Sequence, residues 1–452
     1  MQVYDGLPLP ARYWAVLTIG LGLTMAVLDG AIANIALPTI AREVHVNPAA
    51  SIWVVNAYQL AVTISLLPLA ALGDIVGYRR VYQVGLAVFT LASLGCALSH
   101  SFAALTLARI VQGFGAAGIM SVNTALVRFI YPRRLVGQGV GINAMVGSVS
   151  SAVGPTVAAG ILSVASWQWL FAINVPIGLA AFAIAARALP RTPRSDHPFD
   201  VSSAVLNAFS FGLLIIGIDG LGHGQDNTVV AVELAAAVGF GAMLIARQLS
   251  RTAPLLPVDL MRIPLFALSV ATSIAAFTAQ GLAYVALPFF LQETLGRTQV
   301  ETGLLMTPWP LTVAVVAPFA GRLADRHSAG LLGGIGLAAL AAGLALLATL
   351  PAHPATLDIV WRMTVCGFGF GFFNSPNNRA MIVAAPRDRS GGASGMLATA
   401  RLLGQTTGAA LVALVFGLYP SRGTTLTLAL GAAFAGVAAA VSCTRLMRPR
   451  AR

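Results

Sequence analysis

The sequence predicts an all-α polytopic membrane protein, and three observations carry that prediction: composition, the length of the apolar runs, and the placement of the arginines. Of 452 residues, 57% are hydrophobic and 9% charged, whereas soluble domains average about 25% charged. Apolar material is abundant and the polar tracts are short, which excludes a disordered chain. Cys96 and Cys366 fall inside apolar runs and Cys443 near the last one. With no CxxC and no Cys/His cluster, neither a metal site nor a disulfide framework is expected. All 27 basic residues are arginine. A phosphate loop needs its lysine on the β/γ-phosphates, so direct drive by ATP is not expected. The net charge of +12 is spread between the apolar runs, and no nucleic-acid partner is implied.

A hydrocarbon core about 30 Å thick takes roughly 20 apolar residues per helix, and fourteen runs qualify. Met1 to Arg12 lacks a charged stretch ahead of a short apolar one and a small-residue cleavage site, and reads as a retained tail. Runs one to six are expected at 14 to 37, 51 to 72, 81 to 99, 102 to 126, 137 to 164 and 168 to 188. Arg79 and Arg80, then Arg128, Arg133 and Arg134, then Arg187, Arg191 and Arg194 mark alternate connections. Runs seven and eight, 201 to 221 and 228 to 246, precede Arg247, Arg251 and Arg262. The last six are 265 to 291, 302 to 323, 330 to 350, 356 to 378, 392 to 417 and 424 to 446, again with arginines at alternate connections. Twenty-one arginines, Arg12 among them, thus share one face, while Arg42, Arg297 and Arg422 lie opposite and Arg109, Arg362 and Arg401 within runs. The positive-inside rule then places both termini in the cytoplasm. Trp14, Trp53, Trp167, Trp169 and Trp361 fall near run ends, where indoles favour the interface, and Trp309 lies deeper.

The two halves repeat at an offset of about 250 residues. Ala36-Leu37-Pro38 recurs as Ala286-Leu287-Pro288, Pro68 as Pro318, Leu72-Gly73-Asp74 as Leu323-Ala324-Asp325, Gly113-Phe114-Gly115 as Gly367-Phe368-Gly369, Asn123 as Asn377 and Gly154 as Gly408. The expected organisation is a six-helix bundle over 12–190, two inserted helices over 199–246 and a second six-helix bundle over 262–447. Two repeat-related bundles around a mid-membrane site are how secondary transporters achieve alternating access.

Five stretches resemble the major facilitator superfamily and, within it, the fourteen-span drug:H+ antiporters. Leu28-Asp29 with Asn34-Ile35-Ala36-Leu37-Pro38 is similar to that family's first-helix signature. Leu72 to Arg80 is similar to the superfamily's GxLaDrxGrr loop, Arg109 to Gly115 to its fourth-span motif, Gly154-Pro155 to the antiporter motif GPxxGG, and Trp169 to Gly178 to the entry of the sixth span. The sequence departs at Ala70, Tyr78, Ala158 and Ala159. The resemblance implies a major facilitator fold of fourteen helices in a bacterial inner membrane. It also implies a transporter, not an enzyme, which exports amphipathic small molecules, cationic ones included, with the proton gradient in place of a cofactor. The short connection from Leu418 to Thr424 implies no periplasmic adaptor, and a monomer is expected. A dedicated metabolite, lipid or peptide stays open as cargo. A membrane-embedded enzyme or sensor is disfavoured by the repeat and by the lack of HExxH, GxSxG or a signalling domain.

Charge inside a bilayer is costly, so an intramembrane ion is a functional candidate by default. Asp29 is the one carboxylate well inside a run; it can carry protons, meet a cationic substrate or brace the scaffold. Counting about 1.5 Å per residue, Asp29 and Arg109 both lie roughly 10 to 12 Å below the outer surface, so they can pair. The resemblance gives Arg109 a part in proton release, with Gln112 one turn on. Arg362 matches Arg109 in the repeat, while Arg401 has no counterpart at Gly147 and could snorkel, pair with Asp29 or attract an anionic group. Asn34, Gln59, Gln112, Gln280, Asn374, Asn377, Arg362 and Arg401 are candidates for a substrate cavity. Gly73, Asp74, Gly77, Arg79 and Arg80, with Asp325 as a degenerate second copy, are candidates for a cytoplasmic latch. Gly147, Gly154, Pro155 and Gly160 are expected to permit a bend and close helix packing. Asp219, Glu233 and Glu293 lie near outer run ends and are expected to be solvated.

Overall fold

A computed structural model describes residues 6–192, 194, 198–222, 225–249, 258–324, 326–351, 353–386 and 390–445, apart from a few side chains within helices. Its backbone is helical throughout, as it must be where lipid offers no hydrogen bonds to an open chain. The first six helical stretches are α1 (Ala11–Glu43), α2 (Pro48–Val76, interrupted at Ile52), α3 (Tyr78–Ala97), α4 (Phe102–Ile130), α5 (Val136–Leu162) and α6 (Trp169–Ala188, interrupted at Ile173). Then come α7 (Val201–Gly222) and α8 (Asn227–Leu249). The last six are α9 (Pro264–Thr294), α10 (Gln299–Leu323, interrupted at Thr307), α11 (Ala329–Ala348), α12 (Thr356–Ala384), α13 (Ser390–Leu418) and α14 (Gly423–Thr444).

Among the described residues, twelve helices are long and apolar enough to cross a membrane, and thirteen if the bent α5 counts as one span. The remaining expected run lies on α12, which is long but carries Asp358, Arg362 and Arg379 together with Asn374, Asn377 and Asn378. The bend in α5 amounts to 41° between Gln138–Ser151 and Val153–Leu162. Its cause is Pro155: the missing N–H cannot serve the Ser151 carbonyl, and the ring crowds it.

The repeat is also visible in the packing. In the first half α3 packs on α4, α2 on α4, α1 on α5 and on α6, and α3 on α6; the corresponding pairs α11/α12, α10/α12, α9/α13, α9/α14 and α11/α14 recur in the second. Glycines allow the closest of these contacts. A Cβ on Gly115 would collide with the Phe89 backbone, and one on the matching Gly369 with the Leu340 backbone. The halves meet along α1/α9, α2/α13 and α5/α10. Thr63 and Thr406 share a hydroxyl contact of 3.3 Å, Thr156 and Thr307 one of 2.8 Å, and Gln292 donates to the Ile35 carbonyl at 3.0 Å.

The inserted pair packs on itself and lays α7 against α2 and α13 at the seam between the halves. Pro68 leaves the Ile64 carbonyl of α2 without its intrahelical donor; the fully buried Asn207 of α7 supplies one, Nδ2 to O at 2.8 Å. At one end of the pair, Asp200 accepts from Arg247 at 3.0 Å and from the Ser203 hydroxyl at 2.8 Å. At the other end the expectation of solvated acids is corrected: Asp219 is buried, and Glu233 is partly buried and accepts from Gln225 at 3.3 Å, whose own backbone N–H donates to the Gly220 carbonyl at 3.0 Å. Glu293 is exposed, as expected. Trp167 is buried and donates to Glu43 at 2.7 Å. Trp309 is fully buried against the Tyr284 ring, with centroids 5.2 Å apart.

Candidate functional site

Five helices contribute to the cluster around Asp29. Asp29 lies on α1 and Arg109 on α4, and both side chains are 0% exposed. The guanidinium Nη1 pairs with Asp29 Oδ2 and also donates to Gln112 Oε1 at 2.6 Å, while Nε donates to the Val54 carbonyl of α2 at 2.9 Å. Gln112 Nε2 donates to Asp29 Oδ1 at 2.9 Å and to Ser93 Oγ at 2.9 Å, and Asn174 Nδ2 of α6 reaches Asp29 Oδ1 at 2.9 Å. The amides meet the acceptors of Asp29, as a buried ion pair requires, while Arg109 Nη2 is buried without a hydrogen-bond partner among the described residues. The guanidinium also lies over the Tyr58 ring, 4.2 Å from its centroid, and 5.4 Å from that of Phe171. Tyr58 is held in turn by its hydroxyl, which donates to the Ala26 carbonyl at 2.9 Å.

A cavity of about 100 Å³ lies between the halves, and Tyr58 forms part of its wall. Asn34, Gln59, Gln280 and Arg401 line it, with Tyr284, Met306 and Gln405 from the second half. Gln405 donates to Gln280 at 3.4 Å, and Asn34 Nδ2 to the Gly30 carbonyl at 3.3 Å. Asn34 Oδ1, Gln59 Oε1 and Arg401 Nε are buried and find no partner among the described residues. Asp29 and Arg109 do not line this cavity; Tyr58 stands between it and their cluster.

Four other cavity candidates lie elsewhere. Gln112 faces the Asp29 cluster, because it follows Arg109 by less than one turn and shares its helix face. Arg362 turns back to its own helix, where Asp358 four residues earlier takes Nε and Nη2 at 3.1 Å each, and to the Leu346 carbonyl. Asn377 accepts from Arg445 at 2.8 Å and donates to Ser273 Oγ at 2.8 Å, so it belongs to a buried polar cluster at the chain's far end. Arg445 there also reaches Thr272 and the Leu268 carbonyl. Asn374 is not a lining residue, and its Oδ1 has no partner among the described residues.

At the turn from α2 to α3, Gly77 has φ of +100°, a backbone state that a Cβ would strain. Tyr78 donates its hydroxyl to Asp74 and its backbone N–H to Thr192 Oγ1 at 3.0 Å. Arg79 Nη2 donates to the Ala186 carbonyl of α6 at 2.5 Å, and Arg80 is exposed. Gly73 has no room for a Cβ beside the Tyr78 ring and Val122, each 2.8 Å away. Asp325 lies outside the described residues. On α5, a Cβ at Gly154 would stand 2.6 Å from the Ala31 Cβ, so the glycine permits close approach to α1. Gly147 makes only an ordinary contact with Leu23, and Gly160 faces open space, so close packing does not explain it.

Sequence reasoning passed over Tyr58, Asn174, Ser93 and Gln405. Asn174 stood inside the quoted stretch from Trp169 to Gly178 without a role. Nothing in the local pattern of the other three marks which neighbouring helix they face.

Known proteins resemble this chain along most of its length. Residues 19–409, and again 268–451, match the Major Facilitator Superfamily. The chain is 59% identical over 450 residues to the uncharacterized transporter YebQ of Escherichia coli K12, covering 99% of this chain and 98% of that one. It is 30% identical to the riboflavin transporter RibZ of Clostridioides difficile, covering 89% and 88%, and 32% identical to the multidrug resistance protein Stp of Mycobacterium tuberculosis, covering 90% and 76%. A solved bacterial homolog of the human lysosomal transporter Spinster, in an inward-facing and unoccupied conformation, superposes with a TM-score of 0.69 at 15% identity over 97% of each chain. With the repeated bundles and the cavity between them, these matches make the chain a member of the Major Facilitator Superfamily, a membrane-integral transporter of many spans.

Proposed function

We propose that the protein is a proton-coupled exporter of amphipathic small molecules in a bacterial inner membrane, with fourteen spans, both termini cytoplasmic, and alternating access between its halves. The observation that carries this reading is the Asp29 and Arg109 pair, separated from the cavity by Tyr58, whose ring lies under the guanidinium and also lines the cavity. Protonation of Asp29 would cancel its attraction for Arg109, free the guanidinium from the Tyr58 face, and so alter the cavity wall. A substrate pressing on Tyr58 would act in the reverse direction, since linkage between two sites is reciprocal. The bent α5 and the Gly77 turn supply the places where the first bundle flexes, with Gly73, Asp74, Arg79 and Arg80 as the latch.

The test is pH change inside energised everted vesicles on adding lipophilic cations, neutral compounds and anions, with wild type beside Asp29→Asn. Substrate-evoked proton release that is lost in the variant supports antiport through Asp29. Full activity in the variant would reduce Asp29 to a brace. Export of one dedicated metabolite is the second reading, favoured by the small cavity and its unmet amide groups. It predicts that a single compound evokes release.

A further inference from the structure

The cavity carries a cation without a counter-ion. Arg401 sits mid-way along α13 and lines the cavity, so it does not snorkel to an interface. Asp29 is already taken by Arg109, Gln112 and Asn174. Arg401 makes no hydrogen bond or ion pair with any described residue, and its Nε is buried without a partner. Of the roles open to this arginine in the sequence, two are therefore filled or excluded. A charge within a span is expensive, and intramembrane charges that face a cavity mark the substrate path. Gly147 occupies the matching place in the first half, so the charge does not come from the repeated scaffold. Around it stand Tyr58, Tyr284 and Met306, with Asn34 and Gln59 offering unmet acceptor oxygens.

We infer that the cargo is an amphipathic organic anion: an aromatic or otherwise apolar body bearing a carboxylate, sulfonate or phosphate ester that pairs with Arg401. N–H or O–H groups on the body meet Asn34 Oδ1 and Gln59 Oε1. The guanidinium fork suits such planar or multi-oxygen groups, and a lipophilic cation would face an unneutralised like charge. This deepens the export reading and rests on it for direction, though not for the chemistry of binding.

The test uses the purified full-length protein and one ring in three charge states: 1-naphthoate, 1-naphthamide and 1-naphthylmethylammonium, extended by a panel of aromatic sulfonates and phosphate esters. Two equilibrium readings are taken, the melting temperature and the protection of Arg401 from phenylglyoxal, followed by peptide mass spectrometry. Anions are expected to protect Arg401 and raise the melting temperature, and the amide and ammonium to do neither. Arg401→Gln is expected to weaken anion binding by about ten- to a hundredfold, with Arg401→Lys between. The phenylglyoxal reading needs no variant, so a misfolded Arg401→Gln leaves the inference testable. Protection by none of the anions, equal or tighter binding of the cation, or anion binding unchanged in Arg401→Gln would each overturn it. Anion binding without proton release in vesicles sinks the export reading instead; proton release evoked only by cations sinks this inference and leaves export standing.

Discussion

Replacing Asp29 by Asn tests the centre of the first bundle. The substitution keeps the shape and an acceptor for Gln112 and Asn174, and removes one charge. Arg109 is then a cation at 0% exposure with no anion. Breaking a buried pair from one side costs about 3 to 5 kcal/mol, and the retained amide bonds hold the loss to the lower part of that range. Arg109→Gln alone leaves the carboxylate to two amides and costs about as much. The double variant, Asp29→Asn with Arg109→Gln, removes both charges and is expected to lose about 1 kcal/mol, since neutral replacements of a buried pair are often nearly neutral. The coupling energy in the double-mutant cycle is thus about 5 kcal/mol, above the roughly 0.5 to 3 kcal/mol range typical of contacting residues. Denaturant unfolding of the four proteins in detergent micelles, followed by tryptophan fluorescence, measures it. Single variants within about 0.5 kcal/mol of wild type, or losses that simply add, would refute the argument that this pair and its amides form one buried unit.

Two further outcomes follow from contacts away from that pair. A Cβ at Gly303 would lie 2.5 Å from the Pro155 carbonyl and 2.8 Å from the Ala159 Cβ, so Gly303→Val is expected to part α5 from α10. Thr156→Cys with Thr307→Cys, whose hydroxyls are 2.8 Å apart, should form a disulfide on oxidation, and adding Gly303→Val should abolish it; unaltered cross-linking would show that the contact is not needed. For Asp200, partial burial works against ionisation, but hydrogen bonds from the Arg247 guanidinium and from the Ser203 hydroxyl and N–H outweigh it and hold the carboxyl down at about 2. A depressed folded value stabilises above the unfolded value of ~3.9 and ceases to do so as the pH falls towards the folded one. Asp200→Asn should therefore melt below wild type at about pH 6, with a gap that narrows by about pH 3; a constant gap would refute the assignment.

Much of the architecture was legible because lipid imposes simple rules. Run length located the helices and the repeat anticipated matching packing in the two halves. The shared depth of Asp29 and Arg109 followed from helical rise alone. What could not be read was rotation about each helix axis. Gln112 and Gln59 are equally polar, yet one faces the ion pair and the other the cavity, and only packing decides between them. Arg362 looked like the partner of Arg109 in the repeat, but Asp358 one turn away captures it. Asn377 was drawn from the cavity by Arg445, which returns from the end of the chain. Asp219 shows a further limit: nearness to a run end does not say whether a side chain is buried. The cavity arrived at by these means shares Asn34, Gln59, Gln280 and Arg401 with the expectation and takes its aromatic wall from residues without a sequence mark.

The bond from Asn207 to the Ile64 carbonyl also bears on how such a chain can be shortened or lengthened over generations. Pro68 spends a backbone acceptor of α2, and the inserted helix makes that loss harmless. Excising residues 199–246 to leave six plus six would expose the acceptor to hydrocarbon, whereas exchanging Pro68 for a residue with an N–H would first return it to its own helix. The order of those two steps matters. Exchanging Pro68 first is the order that never leaves the Ile64 carbonyl without a donor.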